Sequence, residues 1–216
     1  MTFHVITIFP RMFQSYLSDS ILARAIKEKK ITVKFYNPRD FTKDKHKKVD
    51  DRPYGGGPGM VMYAEPIIRA VERAKLKTKN SKLKTIVLSP GGKKFTNEYA
   101  RSLSKKYKDV ILISGRYEGI DARVKKILRA EEVSIGDYVL TGGELPAMVL
   151  IDATARQIKG VLGKAASIEE SRIIPVSEVY TRPEAFEYKG KKYRVPKVLL
   201  SGNPKEIDKW KTKRTK

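Results

Sequence analysis

Apolar positions in this chain recur with a period of two in some stretches and near four in others, and the switches mark out its elements. Residues 3–9 form a short, mostly apolar run, the pattern of a buried strand, which Pro10 ends. Residues 21–29 carry apolar side chains at helical spacing, and residues 31–36 alternate like a strand. Residues 37–63 form a long loop, basic at first and glycine-rich later, and a loop of that length in a compact domain points to a function. The spacing then predicts a helix over 65–75 with Pro66 in its first turn, a strand at 84–88 and a helix near 96–107. A strand at 110–114, a helical stretch at 121–128 and a short strand at 132–135 follow. Residues 143–159 read as a helix with Leu145, Met148, Val149 and Ile151 as its buried face. Strand and helix in alternation argue for an α/β domain, a mostly parallel sheet with helices on both faces.

The pattern changes after Gly163, so residues 1–163 read as the main domain. Residues 164–178 mix small, polar and charged side chains, as a linker does. Residues 179–216, with Pro183, Pro196, Pro204 and the one Trp, Trp210, are expected to form a small C-terminal domain with little core of its own.

Composition narrows the chemistry. The chain has 216 residues, room for a sizeable core. Its net charge is +22, from 46 basic against 24 acidic residues. The basic residues cluster at 43–48, 75–84, 189–197 and 205–216, a spread that fits a broad nucleic-acid footprint better than one basic tail. Cysteine is absent, which excludes disulfides, thiolate nucleophiles and cysteine-ligated zinc. His4 and His46 are the only imidazoles, too few for a histidine metal cage. The first apolar run has no basic leader and no run approaches bilayer length, so a cytoplasmic protein without membrane attachment is expected.

The candidate chemistry lies in two glycine-containing turns. Gly115-Arg-Tyr-Glu-Gly119 follows the strand at 110–114, and Ser134-Ile-Gly-Asp-Tyr-Val-Leu-Thr-Gly-Gly-Glu-Leu-Pro146 continues from the end of the strand at 132–135. Gly136, Gly142 and Gly143 are expected to take positive φ and to admit a ligand close to the main chain, with Tyr138, Leu140 and Pro146 adding apolar surface. Such turns at strand ends point to a pocket for a small flat molecule. Backbone groups suit the edge of an adenine and apolar side chains its faces, and the turns carry no lysine for a phosphate. The run Gly55-Gly-Gly-Pro-Gly59 is no nucleotide loop: it lacks the Gly-Lys-Ser/Thr ending of a P-loop, and Met60 stands where G-x-G-x-x-G needs its last glycine.

Together, Ile113-Ser-Gly-Arg-Tyr-Glu-Gly-Ile-Asp121 and the segment from Ser134 to Ala147 resemble the bacterial tRNA (guanine-N1)-methyltransferase family, the TrmD type. Ile8-Phe-Pro10, Asp50-Asp-Arg-Pro-Tyr-Gly-Gly-Gly-Pro-Gly-Met60, Leu88-Ser-Pro90 and Leu199-Leu-Ser-Gly-Asn203 extend the resemblance. It implies a SPOUT-class fold with a deep trefoil knot, one of the rare exceptions to unthreaded connections. It implies S-adenosylmethionine as cofactor, with Mg²⁺ assistance, and methylation of N1 of guanine 37 of tRNA, beside the anticodon. The residues it implies for cofactor binding are Leu88, Ser89, Pro90, Gly115, Tyr117, Glu118, Gly119, Ser134, Ile135, Gly136, Asp137, Tyr138, Val139, Leu140, Gly142, Gly143 and Pro146. It implies a homodimer with active sites shared between subunits, and Asp50, Arg52, Gly55, Gly57, Pro58 and Gly59 as tRNA contacts near the partner's pocket.

The same resemblance implies a catalytic Arg, matched by Arg156, and an Asp base in the linker. Here the chain departs from the family. Ala166-Ser-Ile-Glu-Glu-Ser171 places Glu170 before Ser171, in a segment one residue shorter than usual, with Glu169 as the other candidate. Relatives carry a longer helical C-terminal domain that clamps tRNA, so here that domain is expected to be truncated or minimal, a short helical segment. Two other readings remain open to the sequence: a knotted methyltransferase with another RNA target, and a non-catalytic RNA-binding relative.

Overall fold

The protein is described by a computed structural model over residues 1–78, 82–162 and 178–213. It divides into two compact units, Met1–Ala165 and Ala166–Lys216. In the first, strand β1 (Thr2–Ile6) leads through a 3-10 turn at Pro10–Phe13 and one helical turn, α1 (Gln14–Leu17), to helix α2 (Ser20–Lys27) and strand β2 (Thr32–Tyr36). A 3-10 turn at Pro38–Phe41 precedes a small hairpin, β3 (Asp50–Asp51) with β4 (Val61–Met62), and helix α3 (Ala64–Lys75). Then come β5 (Leu83–Lys94), α4 (Asn97–Lys106), β6 (Asp109–Ser114), α5 (Arg123–Leu128), β7 (Glu131–Ser134) and α6 (Glu144–Arg156).

Five strands form one sheet in the order β2-β1-β6-β5-β7, and every pairing is parallel. Parallel neighbours need crossover connections, and the helices supply them. The central strand β6 is buried along its whole length, and its side chains split by alternation. Val110 and Leu112 join Phe3, Val5 and Ile86 against Leu22 and Ala25 of α2, Leu103 of α4, and Leu150 and Ile151 of α6. Ile111 and Ile113 join Ile6 and Val87 against Ile67 and Val71 of α3 and Val124 and Leu128 of α5. Each face of the sheet therefore has its own helical layer. Among the described residues no helix is long and apolar enough to cross a membrane.

Several elements differ from the sequence expectation. The first strand stops at Ile6, and Phe9, beyond it, is exposed. Strand β5 runs past Leu88 to Lys94, because the chain shifts register and pairs again with β7 at Lys93 and Lys94. On α6, Met148 and Ile151 are buried as expected, but Leu145 is 51% and Val149 42% exposed. The face against the sheet is instead Glu144, Ala147, Met148, Leu150, Ile151, Thr154 and Ala155. The helix is apolar on almost every side, so hydrophobicity alone does not orient it. Small residues at Ala147 and Ala155 let it approach the strands, and Glu144 is buried because it has partners there.

The second unit is not purely helical. Strands β8 (Ala185–Tyr188) and β9 (Lys191–Arg194) form an antiparallel hairpin, followed by α7 (Lys197–Leu200) and α8 (Pro204–Lys213). Lys189 and Gly190 turn it with φ of 50° and 71°. Positive φ at both central residues is the type I′ geometry whose twist matches a hairpin. Lysine in the first of these positions hides the signal that Asn-Gly would give.

One polar cluster lies in the sheet itself. His4 has no exposed surface; its Nε2 is 3.1 Å from Asp109 Oδ1 and its Nδ1 3.1 Å from the Tyr36 hydroxyl. Burial pushes the His4 pKa below its ordinary value, against the opposing pull of the Asp109 carboxylate, while Lys34 lowers it further. A depressed imidazole stays neutral in the folded protein while the unfolded chain takes up the proton, so stability falls as pH drops through about 6.5, the unfolded pKa. Thermal melts between pH 7.5 and about 5.5 should show Tm falling toward acid. His4→Gln should flatten that dependence; an identical slope in the variant would locate the acid sensitivity elsewhere.

Candidate cofactor site

The carboxyl ends of β5, β6 and β7 open into a cavity of about 390 Å³. Ligands in open parallel sheets bind at such strand ends. Three segments line it: Leu88, Ser89 and Pro90 after the first part of β5, residues 115–120 after β6, and the turn from Ser134 into α6. Gly115, Tyr117, Glu118, Gly119, Ser134, Ile135, Gly136, Tyr138, Val139, Leu140, Gly142, Gly143 and Pro146 all border it, as the sequence expects. Asp137 does not. Its carboxylate turns outward and lies 2.6 Å from Lys94 Nζ.

Glycine matters here for a reason other than the expected one. Gly136, Gly142 and Gly143 are not among the residues with positive φ. What they permit is close approach. A Cβ on Gly143 would lie 2.7 Å from Ser114 Cα and 2.9 Å from the Gly115 nitrogen, both main-chain atoms. The Gly143 N–H donates to the Gly115 carbonyl at 2.9 Å, and Ser114 Oγ donates to the Gly143 carbonyl at 3.2 Å. The two turns are thus laced together through their backbones. Positive φ occurs instead at Gly119 (131°) and, unusually for a side-chain-bearing residue, at Tyr117 (60°).

A residue the sequence reading passed over completes the lacing. Arg116, also on the cavity wall, places its Nε 2.8 Å from Glu144 Oε2 and donates from Nη1 to the Thr141 carbonyl at 3.1 Å. The Nε contact is close enough for an ion pair but too poorly angled for a hydrogen bond. Thr7 Oγ1 donates to the other carboxylate oxygen at 2.7 Å, and the guanidinium lies 4.7 Å from the Phe9 ring centre. Glu144 is fully buried in the first turn of α6, where the helix dipole favours a negative charge. A buried carboxylate needs such partners, and removing one of them is costly. The available signal was an acidic residue inside the otherwise apolar opening of a buried helix.

The glycine-rich hairpin loop docks on the same wall. Glu118 N–H donates to the Met60 carbonyl at 3.0 Å, and Met62 N–H to the Gly119 carbonyl at 2.9 Å. Gly59, with φ of 76°, sits where a Cβ would come within 2.6 Å of Glu118 Cγ. Asp50 is half-buried on β3, whereas Arg52, Tyr54, Gly55, Gly57 and Pro58 are exposed around the loop tip. The Tyr63 hydroxyl, donating to Asp51 at 2.7 Å, holds that carboxyl below its usual range, helped by the Arg52 N–H and by Lys48. Arg156 is the half-buried last residue of α6. Glu169 and Glu170 lie outside the described residues.

Neither lysine nor histidine is among the residues lining the cavity. The wall is mostly main chain, small and apolar side chains and two tyrosines. Its one arginine, Arg116, is paired with Glu144, and Glu118 and Glu132 add negative charge, so a flat group suits it better than a phosphate. Among the described residues no group of three or more His, Asp and Glu side chains gathers as a metal cage.

The family described as tRNA (Guanine-1)-methyltransferase TrmD matches residues 1–216. The chain is 48% identical over 216 residues to the tRNA (guanine-N(1)-)-methyltransferase of Pseudoalteromonas atlantica, covering 99% of this chain and 79% of that one. It is 49% identical over 218 residues to the enzyme of the same name from Carboxydothermus hydrogenoformans, covering 100% and 83%. The Caldanaerobacter subterraneus protein of that name is 50% identical over 218 residues, covering 100% and 87%. With the whole chain matched and identity near one half along it, the protein belongs to the TrmD-type tRNA (guanine-N1)-methyltransferase family.

Proposed function

We propose that this protein transfers a methyl group from S-adenosylmethionine to N1 of guanine 37 of tRNA, beside the anticodon. The observation that carries this reading is the cavity between the turns after β5, β6 and β7, in a chain of this family. Its volume of about 390 Å³ suits a nucleoside-sized ligand. The main-chain groups of residues 134–143 would hold the adenine edge, and Leu88, Leu140 and Pro146 its faces. Gly115 and Gly143 leave room for the backbone to come close.

The protein's part in the chemistry is proton handling and charge. Guanine N1 is protonated at neutral pH and is a poor nucleophile until that proton leaves. In this reading the Glu170 carboxylate accepts it. Charge then builds on guanine O6, and Arg156 stabilises it there. Bound S-adenosylmethionine supplies a sulfonium methyl, so that the new N1–C bond forms as the C–S bond breaks and the demethylated cofactor leaves. We assign no step to Mg²⁺.

The resemblance also supports a deep trefoil knot in this part of the sheet and a homodimer with shared sites. For the dimer there is a physical counterpart. Phe9, Met12 and Tyr16, with Leu145 and Val149 of α6, are large apolar side chains left exposed on the first unit, and exposed apolar surface of this kind suits a contact with a second copy. Action on tRNA in the cytoplasm follows from the same reading.

Transfer of labelled methyl groups to tRNA transcripts carrying G or A at position 37 tests the proposal. Transfer to the G37 transcript alone is expected. Equal labelling of the A37 transcript would favour another RNA target, and RNA binding without any transfer would favour a non-catalytic role.

A further inference from the structure

The hairpin of the second unit carries an exposed surface that is no part of the cofactor cavity. Its register pairs Phe186 with Tyr193 and Tyr188 with Lys191. Side chains of paired residues share a face, so these four stand on one side of the ribbon. The rings of Phe186 and Tyr193 stack, with centroids 5.6 Å apart and planes within 17°. Yet Phe186 is 59%, Tyr188 58% and Tyr193 43% exposed. Three large rings on one face of a two-stranded ribbon, itself marginal in water, are costly surface unless something covers them.

The charge around the rings says what kind of cover fits. Lys189 Nζ lies 5.5 Å from the Tyr188 ring centre, and Lys191 Nζ 5.7 Å from that of Tyr193. Over residues 185–194, Lys189, Lys191, Lys192 and Arg194 stand against the single acid Glu187. An apolar protein partner would strip water from these cations without pairing them. A polyanion with flat faces satisfies both features, since bases stack on aromatic rings and phosphates meet the ammonium groups. A rigid turn at Lys189 and Gly190 keeps both within one short ribbon.

We propose that the β8–β9 face is a stacking platform for unpaired RNA bases, with the flanking lysines on the adjoining phosphates. It rests on the reading of the protein as a tRNA methyltransferase, and it names side chains that would hold the loop of that substrate. The stacked pair supplies the flat surface, and Tyr188 extends it. Lys191 and Lys192, on opposite faces of β9, reach the backbone on either side.

The test measures binding of the full chain to a fluorescent anticodon stem-loop RNA across a salt series. The same stem as a blunt duplex serves as comparison. Replacing both rings, Phe186→Leu with Tyr193→Leu, should weaken stem-loop binding about tenfold or more at every salt concentration and leave the salt slope unchanged. Lys191→Gln with Lys192→Gln should reduce the slope by about two. Tyr193→Trp keeps a flat ring and should bind within about twofold of the parent, which separates stacking from a folding defect. The ring variant should bind the duplex as the parent does, and in turnover it should raise KM for tRNA while kcat holds. Unchanged stem-loop affinity in the ring variant would overturn the proposal. So would an equal loss on the duplex, or a loss in Tyr193→Trp matching that of the leucines. A change in oligomeric state with RNA affinity intact would assign the face to a second copy of the chain and equally overturn it. Parent protein that binds the stem-loop through these rings but transfers no methyl would sink the enzymatic reading alone.

Discussion

Gly143→Ala should weaken binding of S-adenosylmethionine roughly a hundredfold and lower the melting temperature by several degrees. One methyl group would do this because of where it points. The new Cβ would lie 2.7 Å from Ser114 Cα and 2.9 Å from the Gly115 nitrogen, so there is no flexible side chain to swing aside. The turn into α6 must move away from the end of β6, and the Gly143 to Gly115 hydrogen bond at 2.9 Å is stretched or lost. Overpacking of this kind costs about 1–3 kcal/mol, and each ~1.4 kcal/mol lost from binding is tenfold in affinity. Gly91→Ala is the matched control, because a Cβ there meets nothing within 4 Å. Calorimetric titration of both variants checks the pair: near-normal affinity in Gly143→Ala would mean that the laced turns do not shape the site.

Glu170→Ala should lower the rate of methyl transfer by about 10²–10⁴-fold while cofactor affinity and stability stay at parent values. On the proposed reading the substitution removes the group that would take the N1 proton, and none that would hold the cofactor. By the resemblance, the family has aspartate here in a segment one residue longer, so glutamate would reach one methylene further. Productive geometry is held to within about 0.5 Å, so length matters as much as charge. Glu170→Asp should therefore also lose most of the rate, and Glu169→Ala should keep it. Single-turnover kinetics on saturating tRNA measures all three. If Glu169→Ala is the variant that fails and Glu170→Ala turns over normally, the base has been assigned to the wrong neighbour.

The centre of the sheet was legible because β1, β6 and the first part of β5 are short apolar runs, and central parallel strands buried on both faces need little else. The cavity was legible because its glycine turns follow such strands directly. Why those glycines are required was not legible: at Gly143 the constraint is a main-chain neighbour some thirty residues earlier in the chain, and no local pattern carries it. In the Arg116–Glu144 pair, Glu144 was hinted at by its place in an apolar helix opening, but its partner, twenty-eight residues earlier, carries no local signal. Orientation of α6 was misread because Leu145 and Val149 are as apolar as Met148 and Ile151, so the helix has no polar stripe to set its face. The β8–β9 hairpin went unseen because its turn carries lysine in place of asparagine and three of the four residues of its second strand are basic.

Chemical-shift mapping tests the central claim most directly. S-adenosylhomocysteine, the demethylated cofactor, is titrated into isotope-labelled protein and the backbone amides are followed. The account predicts saturable shifts concentrated at Gly115, Gly119, Gly136, Gly142 and Gly143, with the hairpin amides at 185–194 unmoved. Saturable shifts centred elsewhere, or none at millimolar ligand, would contradict it.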